Sequence, residues 1–247
     1  MKKTIVVCLL ICISFWQCEK NMDSAKFGGV SGQGGSLARF AIVGNYLYTV
    51  DEQKLTVYDL VNPSDPVLKK TLNVGFEIET IFPFKDKLFI GSTSVVHIYS
   101  ITDPVNPQKL STAISPDVLR RCDPVVAKDT VAFATLRTNG PCGGVQSILA
   151  VFDIKDITKP VQRASYPVSE PYGLGYQDNT LYVCDKSGLM VFDITKAYTP
   201  ILKTTVNDGD YIDVIPYQGI LICWVKTGVV MYDISRPQSP TLLAKIL

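Results

Sequence analysis

The stretch LMVFD at residues 189–193 returns forty positions later as VVMYD at residues 229–233. Each copy is a run of aliphatic residues that ends in an aromatic residue and an aspartate. The same ending occurs at Tyr58-Asp59 and Phe152-Asp153, and a fifth copy, Tyr99-Ser100, has serine in place of aspartate. Successive copies are 41, 53, 40 and 40 residues apart, which identifies an internal repeat of about forty residues.

Prolines follow the same period. Seven residues after each aspartate, or after Ser100, stands a proline: Pro66, Pro107, Pro160, Pro200 and Pro240. Three units add an earlier proline, at Pro63, Pro104 and Pro237. The one long spacing, 53 residues, predicts an insertion in the third unit, at residues 137–145.

Each unit has the residue pattern of four short strands. In the first unit we predict them at 38–43, 46–50, 55–60 and 67–74, where β-branched and aromatic residues dominate. Hairpin turns between the first two strands are expected at Gly44-Asn45, Lys85-Asp86, Lys128-Asp129, Asp178-Asn179 and Gln218-Gly219. The proline-rich link falls between strands three and four. There the missing backbone N–H of proline removes no hydrogen bond between strands.

Five repeats of four strands predict an all-β chain folded as a five-bladed β-propeller of about 40-residue repeats. The blades are expected at about 37–75, 76–115, 116–169, 170–208 and 209–247. A β-solenoid is the alternative, but solenoid repeats are usually shorter.

Composition excludes several classes of protein. The 24 Lys and Arg residues nearly balance 23 Asp and Glu, and 47% of the residues are hydrophobic, so the chain is neither disordered nor a nucleic-acid binder. A single histidine argues against His-based catalysis and multi-His metal sites. The sequence contains no P-loop, nucleophile elbow or HExxH motif. We therefore predict no catalytic residue, no metal and no cofactor.

The first residues have the pattern of a targeting segment. Lys2 and Lys3 precede an uncharged, mostly apolar stretch of 12 residues, 5–16, which is shorter than the roughly 20 residues that span a membrane. Residues 1–17 are thus predicted to be a secretory signal peptide, with a short anchor helix as the alternative. Residues 18–36 are glycine-rich and predict a flexible tether, of which Phe27 and Val30 could pack on the fold. The propeller is expected over 37–247.

The repeat resembles the LVIVD repeat, whose name describes the strand seen at 189–193 and 229–233. Cys18, which closes the leader and precedes a polar run, resembles the lipidated cysteine of bacterial lipoproteins. Residues 32–40, 122–126 and 213–215 are similar to segments of Bacteroidetes lipoproteins built of LVIVD repeats. The resemblance covers residues 32–247 and implies an exported outer-membrane lipoprotein, facing the periplasm or the cell surface, of uncharacterised function and without known catalytic residues.

An exported chain meets an oxidising compartment, so cysteine pairing is expected. Cys122 enters the first strand of the third blade, and Cys142 lies in the insertion between its second and third strands. Both segments lie on one face of a propeller, which predicts a Cys122–Cys142 disulfide; two free thiols are the alternative. Cys184 and Cys223 each follow an aliphatic run and are expected to be buried as small hydrophobic residues.

The first strand of each blade lines a propeller's channel. Aligning the starts of these strands places charged and aromatic residues around the channel mouth, and the candidate ligand-binding residues are Arg39, Glu79, Asp123, Tyr172 and Asp213. The alternative is that these groups cap strand ends and join neighbouring blades. The recurring aspartates are expected to cap turns, and His97 to be structural.

These features predict a lipid-anchored, non-catalytic binding or interaction module of the cell envelope. Its partner would be an envelope protein or an extracellular polymer, with membrane contact through the anchor only, and we expect a monomer. The alternative is a hydrolase or lyase that uses carboxylates in the channel. An exposed aromatic face, for which Tyr172, Tyr211 and Trp224 are candidates, would favour a protein partner.

Overall fold

The computed structural model describes residues 34–116, 124–138 and 146–246 of the 247-residue chain. Within these ranges it has twenty strands in five four-stranded antiparallel sheets, each sheet formed by four consecutive strands. The first strands of successive sheets contact one another around the centre. The predicted five-bladed β-propeller is thereby confirmed.

The strands of each blade run outward in chain order. Blade 1 contains β1 (Phe40–Val43), β2 (Tyr46–Val50), β3 (Lys54–Asp59) and β4 (Val67–Asn73). Blade 2 contains β5 (Ile78–Phe84), β6 (Lys87–Ser92), β7 (Val96–Ser100) and β8 (Gln108–Ala113). Blade 3 contains β9 (Val125–Lys128), β10 (Val131–Leu136), β11 (Ser147–Asp153) and β12 (Val161–Val168). Blade 4 contains β13 (Pro171–Gln177), β14 (Thr180–Asp185), β15 (Gly188–Asp193) and β16 (Ile201–Val206). Blade 5 contains β17 (Tyr211–Tyr217), β18 (Ile220–Val225), β19 (Gly228–Asp233) and β20 (Thr241–Ile246).

The recurring aspartates cap the turn after each third strand, as expected. One carboxylate oxygen of Asp59 accepts a hydrogen bond from the backbone N–H of Val61 at 2.8 Å, and the other oxygen lies 3.2 Å from the Lys69 ammonium. The corresponding N–H bonds recur at 3.0, 2.9 and 2.7 Å in blades 3, 4 and 5. In blade 2, Ser100 accepts from the Thr102 N–H at 3.3 Å, which explains why serine can replace aspartate there.

The proline-rich links also join neighbouring blades. Tyr48 of blade 1 donates its hydroxyl to the carbonyl of Pro104 in blade 2 at 2.9 Å. Tyr182 of blade 4 makes the same bond to Pro237 of blade 5 at 2.8 Å. The earlier proline of the repeat therefore lies where a carbonyl accepts a bond from the preceding blade.

Four apolar clusters hold the blades together. They lie between blades 1 and 2, 2 and 3, 3 and 4, and 4 and 5. Among the described residues no fifth cluster joins blade 5 to blade 1. Strands β10 and β11 of blade 3 are buried at every position, whereas β2 and β18, in blades 1 and 5, alternate between buried and more exposed positions.

The hairpin turns match the sequence prediction in four blades. The first turn residue has positive φ in each blade, at Gly44, Lys85, Asp129, Asp178 and Gln218. In blade 3 the prediction of Lys128-Asp129 was wrong by one residue, because Lys128 still pairs with Val131 and the turn is Asp129-Thr130. A lysine is equally acceptable as the last residue of a strand and as the first residue of a turn. The sequence pattern therefore did not show whether the strand ends before or after Lys128.

Several predicted features lie outside the described residues: the signal peptide at 1–17, Cys18, Cys122, Asp123 and Cys142. Gly35 and Ser36, at the end of the predicted tether, are buried. The described part of the chain contains no helix long and apolar enough to cross a bilayer.

Candidate functional site

One face of the propeller carries both the links into the first strands and the loops between second and third strands, and we call it the entry face. The two segments hydrogen-bond within each blade, as when the Thr93 N–H donates to the Glu77 carbonyl and the Lys186 N–H to the Glu170 carbonyl, at 3.2 and 3.1 Å. The channel opens on this face, and the candidate residues were predicted around that opening.

Glu79 lies at a bulge of β5, between Ile78 and Thr80, which pair with successive residues of β6. The bulge turns the half-buried Glu79 side chain out of the regular ladder. Burial raises the pKa of its carboxyl, and the positive charges of Arg39 and Arg137 oppose that rise. Glu79 is therefore a half-buried carboxylate in the electrostatic field of two arginines, one from each neighbouring blade.

Arg137 follows β10 and was not among the predicted site residues. Its guanidinium lies over the Tyr172 ring, 4.7 Å from the centroid, in cation–π geometry. Its buried Nε has no hydrogen-bond partner among the described residues. The sequence feature that could have identified Arg137 is its position as the first residue of the predicted insertion, which lies on the entry face.

Tyr172 joins blades 3 and 4. Its carbonyl accepts a 2.7 Å bond from the Thr135 hydroxyl, and its own hydroxyl donates to Glu170 at 3.0 Å. Glu170 in turn lies 3.4 Å from the Lys186 ammonium. The hydrogen bond from Tyr172, followed by the Lys186 interaction, lowers the pKa of Glu170, while burial raises the pKa of Tyr172.

Asp213 lies below the surface rather than on the open mouth. It is 8% exposed and accepts hydrogen bonds from the Ser36 hydroxyl and the Leu37 N–H at 3.2 Å, and from the Val214 N–H at 2.9 Å. Ser36 also accepts a 2.7 Å bond from the Leu174 N–H. Burial raises the pKa of Asp213 to about 6, although these hydrogen bonds favour the charged form.

Two glycines make room for Asp213. A Cβ on Gly35 would lie 2.0 Å from one carboxylate oxygen, and a Cβ on Gly173 would lie 2.0 Å from the other. The segment that enters blade 1 and the first strand of blade 4 thus enclose an aspartate of blade 5. This arrangement matches the alternative reading of the site, in which polar groups join neighbouring blades.

The structure therefore separates the predicted site residues. Arg39, Glu79 and Tyr172 lie on the entry face, Asp213 is enclosed beneath it, and Asp123 lies outside the described residues. Sequence reasoning missed Arg137, Glu170 and Lys186, which connect the mouth residues. The Arg137 contact crosses from blade 3 to blade 4, so spacing within one repeat does not reveal it, whereas Glu170 and Lys186 meet Tyr172 within blade 4.

Cavities open on this face at two blade junctions. One of about 400 Å³ lies between blades 1 and 2 and is lined by Arg39, Phe76 and Glu79 among others. Between blades 4 and 5 lie a cavity of about 330 Å³, lined by Glu170, Tyr172 and Lys226 among others, and one of about 400 Å³, lined by Ser187, Asn207 and Thr227 among others. Within the described ranges no group of three or more His, Cys, Asp or Glu side chains is placed to hold a metal ion.

The remaining polar candidates have structural roles. Cys184 and Cys223 are fully buried free thiols whose pKa is raised by burial, as predicted for small core residues. His97 is 8% exposed, and burial lowers its pKa to about 4. Tyr211, a candidate for an exposed aromatic face, is instead 2% exposed, because its ring packs in the apolar cluster between blades 4 and 5.

Comparison with known proteins supports the repeat and the fold. The LVIVD repeat model matches residues 34–74 and 177–208, which confirms the repeat type. A comparison with curated proteins finds no match.

Solved structures resemble the chain in fold only. A Lactobacillus plantarum protein has a TM-score of 0.65 at 14% identity, covering 83% of this chain and 72% of its own. The periplasmic gluconolactonase PpgL of Pseudomonas aeruginosa has a TM-score of 0.61 at 12% identity, covering 81% and 67%. AztD of Citrobacter koseri has a TM-score of 0.56 at 14% identity, covering 83% and 63%. The chain spans only 59% of a computationally designed protein, Ika8, that it also matches, at a TM-score of 0.57 and 13% identity.

Proposed function

We propose that this protein is a non-catalytic binding module that holds a hydroxyl-rich extracellular polymer at the channel mouth. The observation that carries the proposal is Arg137, which is only partly buried and whose guanidinium is oriented by the Tyr172 ring. A guanidinium held in one orientation beside the mouth presents N–H donors to a ligand.

The charges around Arg137 point to a neutral, hydroxyl-rich ligand. A sugar hydroxyl both donates and accepts a hydrogen bond, so it is matched by a mixture of cationic donors and carboxylate acceptors. The mouth offers such a mixture, since Arg39, Arg137 and Lys186 alternate with Glu79 and Glu170. Because the three cations are nearly balanced by the two carboxylates, the group has little net charge with which to attract a purely anionic polymer.

An envelope protein is a weaker candidate for the partner at this face. Interfaces with proteins are centred on exposed aromatic and apolar anchors. Of the three aromatic candidates, Tyr211 is buried and Tyr172 lies beneath Arg137. Trp224 is exposed, but it projects from blade 5 on the side away from blade 4, and the charged mouth does not include it.

A carboxylate-based hydrolase or lyase is the second candidate, because burial raises the pKa of both Glu79 and Asp213. Two carboxyl groups whose pKa values are displaced from the usual range would suit the roles of general acid and general base. Asp213, however, is enclosed by Gly35 and Ser36 and hydrogen-bonded on both oxygens. The likeness to a gluconolactonase, at 12% identity, is a likeness of fold and supplies no activity.

The binding test compares two arginines. Purified protein is titrated calorimetrically with soluble neutral and acidic polysaccharides, and Arg137→Ala is expected to weaken binding of the neutral polymer at least about tenfold. Arg163→Ala is the control, because Arg163 pairs with Asp153 on the outer strands of blade 3 and should not alter binding. Equal losses in both variants, unchanged binding in Arg137→Ala, or turnover of the polymer would overturn the proposal.

We also propose that lipid attached to Cys18 holds the protein in the cell envelope. Acyl chains contribute about 0.8 kcal/mol per buried CH₂, which is enough for membrane attachment when two or more chains are present. Cys18→Ser should move the protein from the membrane fraction to the soluble exported fraction. If Cys18→Ser stays with the membranes, the lipid anchor is wrong.

A further inference from the structure

The seam between blade 5 and blade 1 is the one junction without an apolar cluster among the described residues. On the blade 1 side, Phe40 and Ile42 of β1 are 59% and 43% exposed, while Ala41 between them is buried toward blade 2. On the blade 5 side, Trp224 of β18 is 54% exposed, and its neighbour Cys223 is buried toward blade 4. Each of these two blades therefore has one covered face and one uncovered face.

The sequence of the uncovered strands is apolar on both faces. Strand β18 reads ILICWV and β1 reads FAIV, with no charged residue in either strand. Strand β14, TLYVCD, has the same kind of apolar run and is buried at every position. Continuous apolar runs belong to strands that are covered on both sides, and half-exposed strands normally alternate with polar residues. The seam faces thus have the composition of covered surfaces.

The chain enters the propeller at this same seam. Ser36 hydrogen-bonds Asp213 of blade 5 and Leu174 of blade 4, and β1 of blade 1 begins only four residues later. The entering segment therefore crosses from blades 4 and 5 to blade 1 at the channel end of the seam. Residues 1–33, which precede it, lie outside the described structure.

The preceding residues are long enough and apolar enough to fill the seam. The seven peptide steps from Phe27 to Gly34 can extend about 24 Å. Strands are spaced about 4.8 Å apart, so a four-stranded blade is about 15 Å across. Phe27 and Val30 are the two large apolar side chains of residues 25–33, and they are separated only by Gly28 and Gly29, which have no side chains.

We propose that residues 25–33 fold back into the seam and cover Phe40, Ile42 and Trp224 with the side chains of Phe27 and Val30. The segment takes the place of a fifth apolar cluster and joins the two terminal blades. This inference does not depend on the proposed polymer ligand, because the seam and the channel mouth are different surfaces.

Tryptophan fluorescence tests the inference in the full-length chain. Its two tryptophans are Trp16 and Trp224, so a Trp16→Phe background leaves Trp224 as the only reporter. Adding Phe27→Ser and Val30→Ser should shift the emission to longer wavelength and raise the acrylamide quenching constant about twofold, because an indole leaves an apolar site. Val61→Ser is the control, since Val61 is 74% exposed on the link after β3 and should change neither quantity.

Three results would overturn the inference. Trp224 could be fully quenched before the two serines are introduced, which would mean that the seam is open. It could be shielded but unaffected by Phe27→Ser and Val30→Ser, which would mean that blade 5 packs directly on blade 1. Shielding that is lost on dilution would mean that a second copy of the chain covers the seam. Far-UV circular dichroism and thermal melting verify that each variant is folded.

Discussion

Among the described residues, blades 2, 3 and 4 are covered on both faces, whereas blades 1 and 5 are each covered on one. Every residue of β10 and β14 is buried, but the matching strands β2 and β18 have partly exposed positions. The five blades derive from one repeat, so the difference lies in the number of neighbours and not in the strand pattern. A residue's contribution to stability should therefore depend on which blade carries it.

The largest expected contrast is between two phenylalanines. Phe133→Ala in blade 3 removes a ring that is 1% exposed, and it should lower the free energy of unfolding by about 3–5 kcal/mol. Phe40→Ala in blade 1, made in a chain that already carries Phe27→Ser and Val30→Ser, removes a ring that is 59% exposed, and it should cost less than half of that. Urea denaturation measures both losses, and equal losses would break the comparison between inner and terminal blades.

Acid titration distinguishes the carboxyl of Asp213, enclosed between Gly35 and Gly173, from the imidazole of His97, at the junction of blades 1 and 2. The pKa of Asp213 is raised to about 6 in the folded state, so the folded protein holds a proton that the unfolded chain loses, and stability should fall by about 3 kcal/mol as pH rises from about 4 to about 6. The pKa of His97, which lies against Gly75 near Lys109, is lowered to about 4, so its contribution is lost as pH falls from about 6.5 to about 4.

The two groups have opposite signs, and single variants separate them. Asp213→Asn should leave a protein whose stability only decreases on acidification through this range. His97→Gln should leave one whose stability increases as pH falls from about 6 to about 4. The free energy of unfolding from urea titrations at a series of pH values is the readout, and a profile unchanged in Asp213→Asn would contradict the buried environment of this carboxyl.

The two glycines around Asp213 should differ in cost. An added methyl group on Gly173, at the junction of blades 4 and 5, would lie 2.9 Å from the Asp213 Cα, so the backbone has to move. On Gly35 the close contacts are with the Asp213 side chain alone, which can turn away. Gly173→Ala should destabilise by about 1–3 kcal/mol and Gly35→Ala by less. Thermal melting of both variants in the same buffer measures the two losses of stability. A greater loss for Gly35→Ala would mean that the tighter packing around Asp213 is on the side of the seam.

The smallest expected effect concerns a hydroxyl group that joins two blades. Tyr182→Phe removes the bond to the Pro237 carbonyl and should cost about 1 kcal/mol. Tyr217→Phe is the control, because the Tyr217 ring is 45% exposed on blade 5 and its hydroxyl can remain solvated. Similar losses in the two variants, measured by urea denaturation, would show that the bond between blades contributes nothing beyond solvation.

The sequence predicted the fold well because each blade is a local unit. The repeat of aromatic, aspartate and proline fixes the third strand, its capped turn and the link, and all of these lie within about forty residues of chain. The turn predicted at Lys128-Asp129 was wrong because Lys128 pairs with Val131 and so belongs to the strand. The residue pattern around the turn does not contain this pairing register.

The candidate site was predicted less completely. Alignment of the first strands placed Arg39, Glu79 and Tyr172 at the mouth, but it gave no sign that Asp213 is enclosed by Gly35 and Gly173. Nor could it find Arg137, which gains its role only by lying over a ring in the next blade. Contacts between blades combine residues from different repeats, and spacing within a repeat carries no information about them.

By itself, the sequence determined that this chain is a repeating all-β protein with capped, proline-linked blades, because hydrophobic pattern and turn chemistry act over a few residues. Only the tertiary structure decided which polar groups meet at the channel and which apolar strands lack a neighbour. Both depend on how the blades are arranged around the axis. Every blade has a similar pattern, but in the described part of the chain only the inner three form an apolar cluster with a neighbour on both sides.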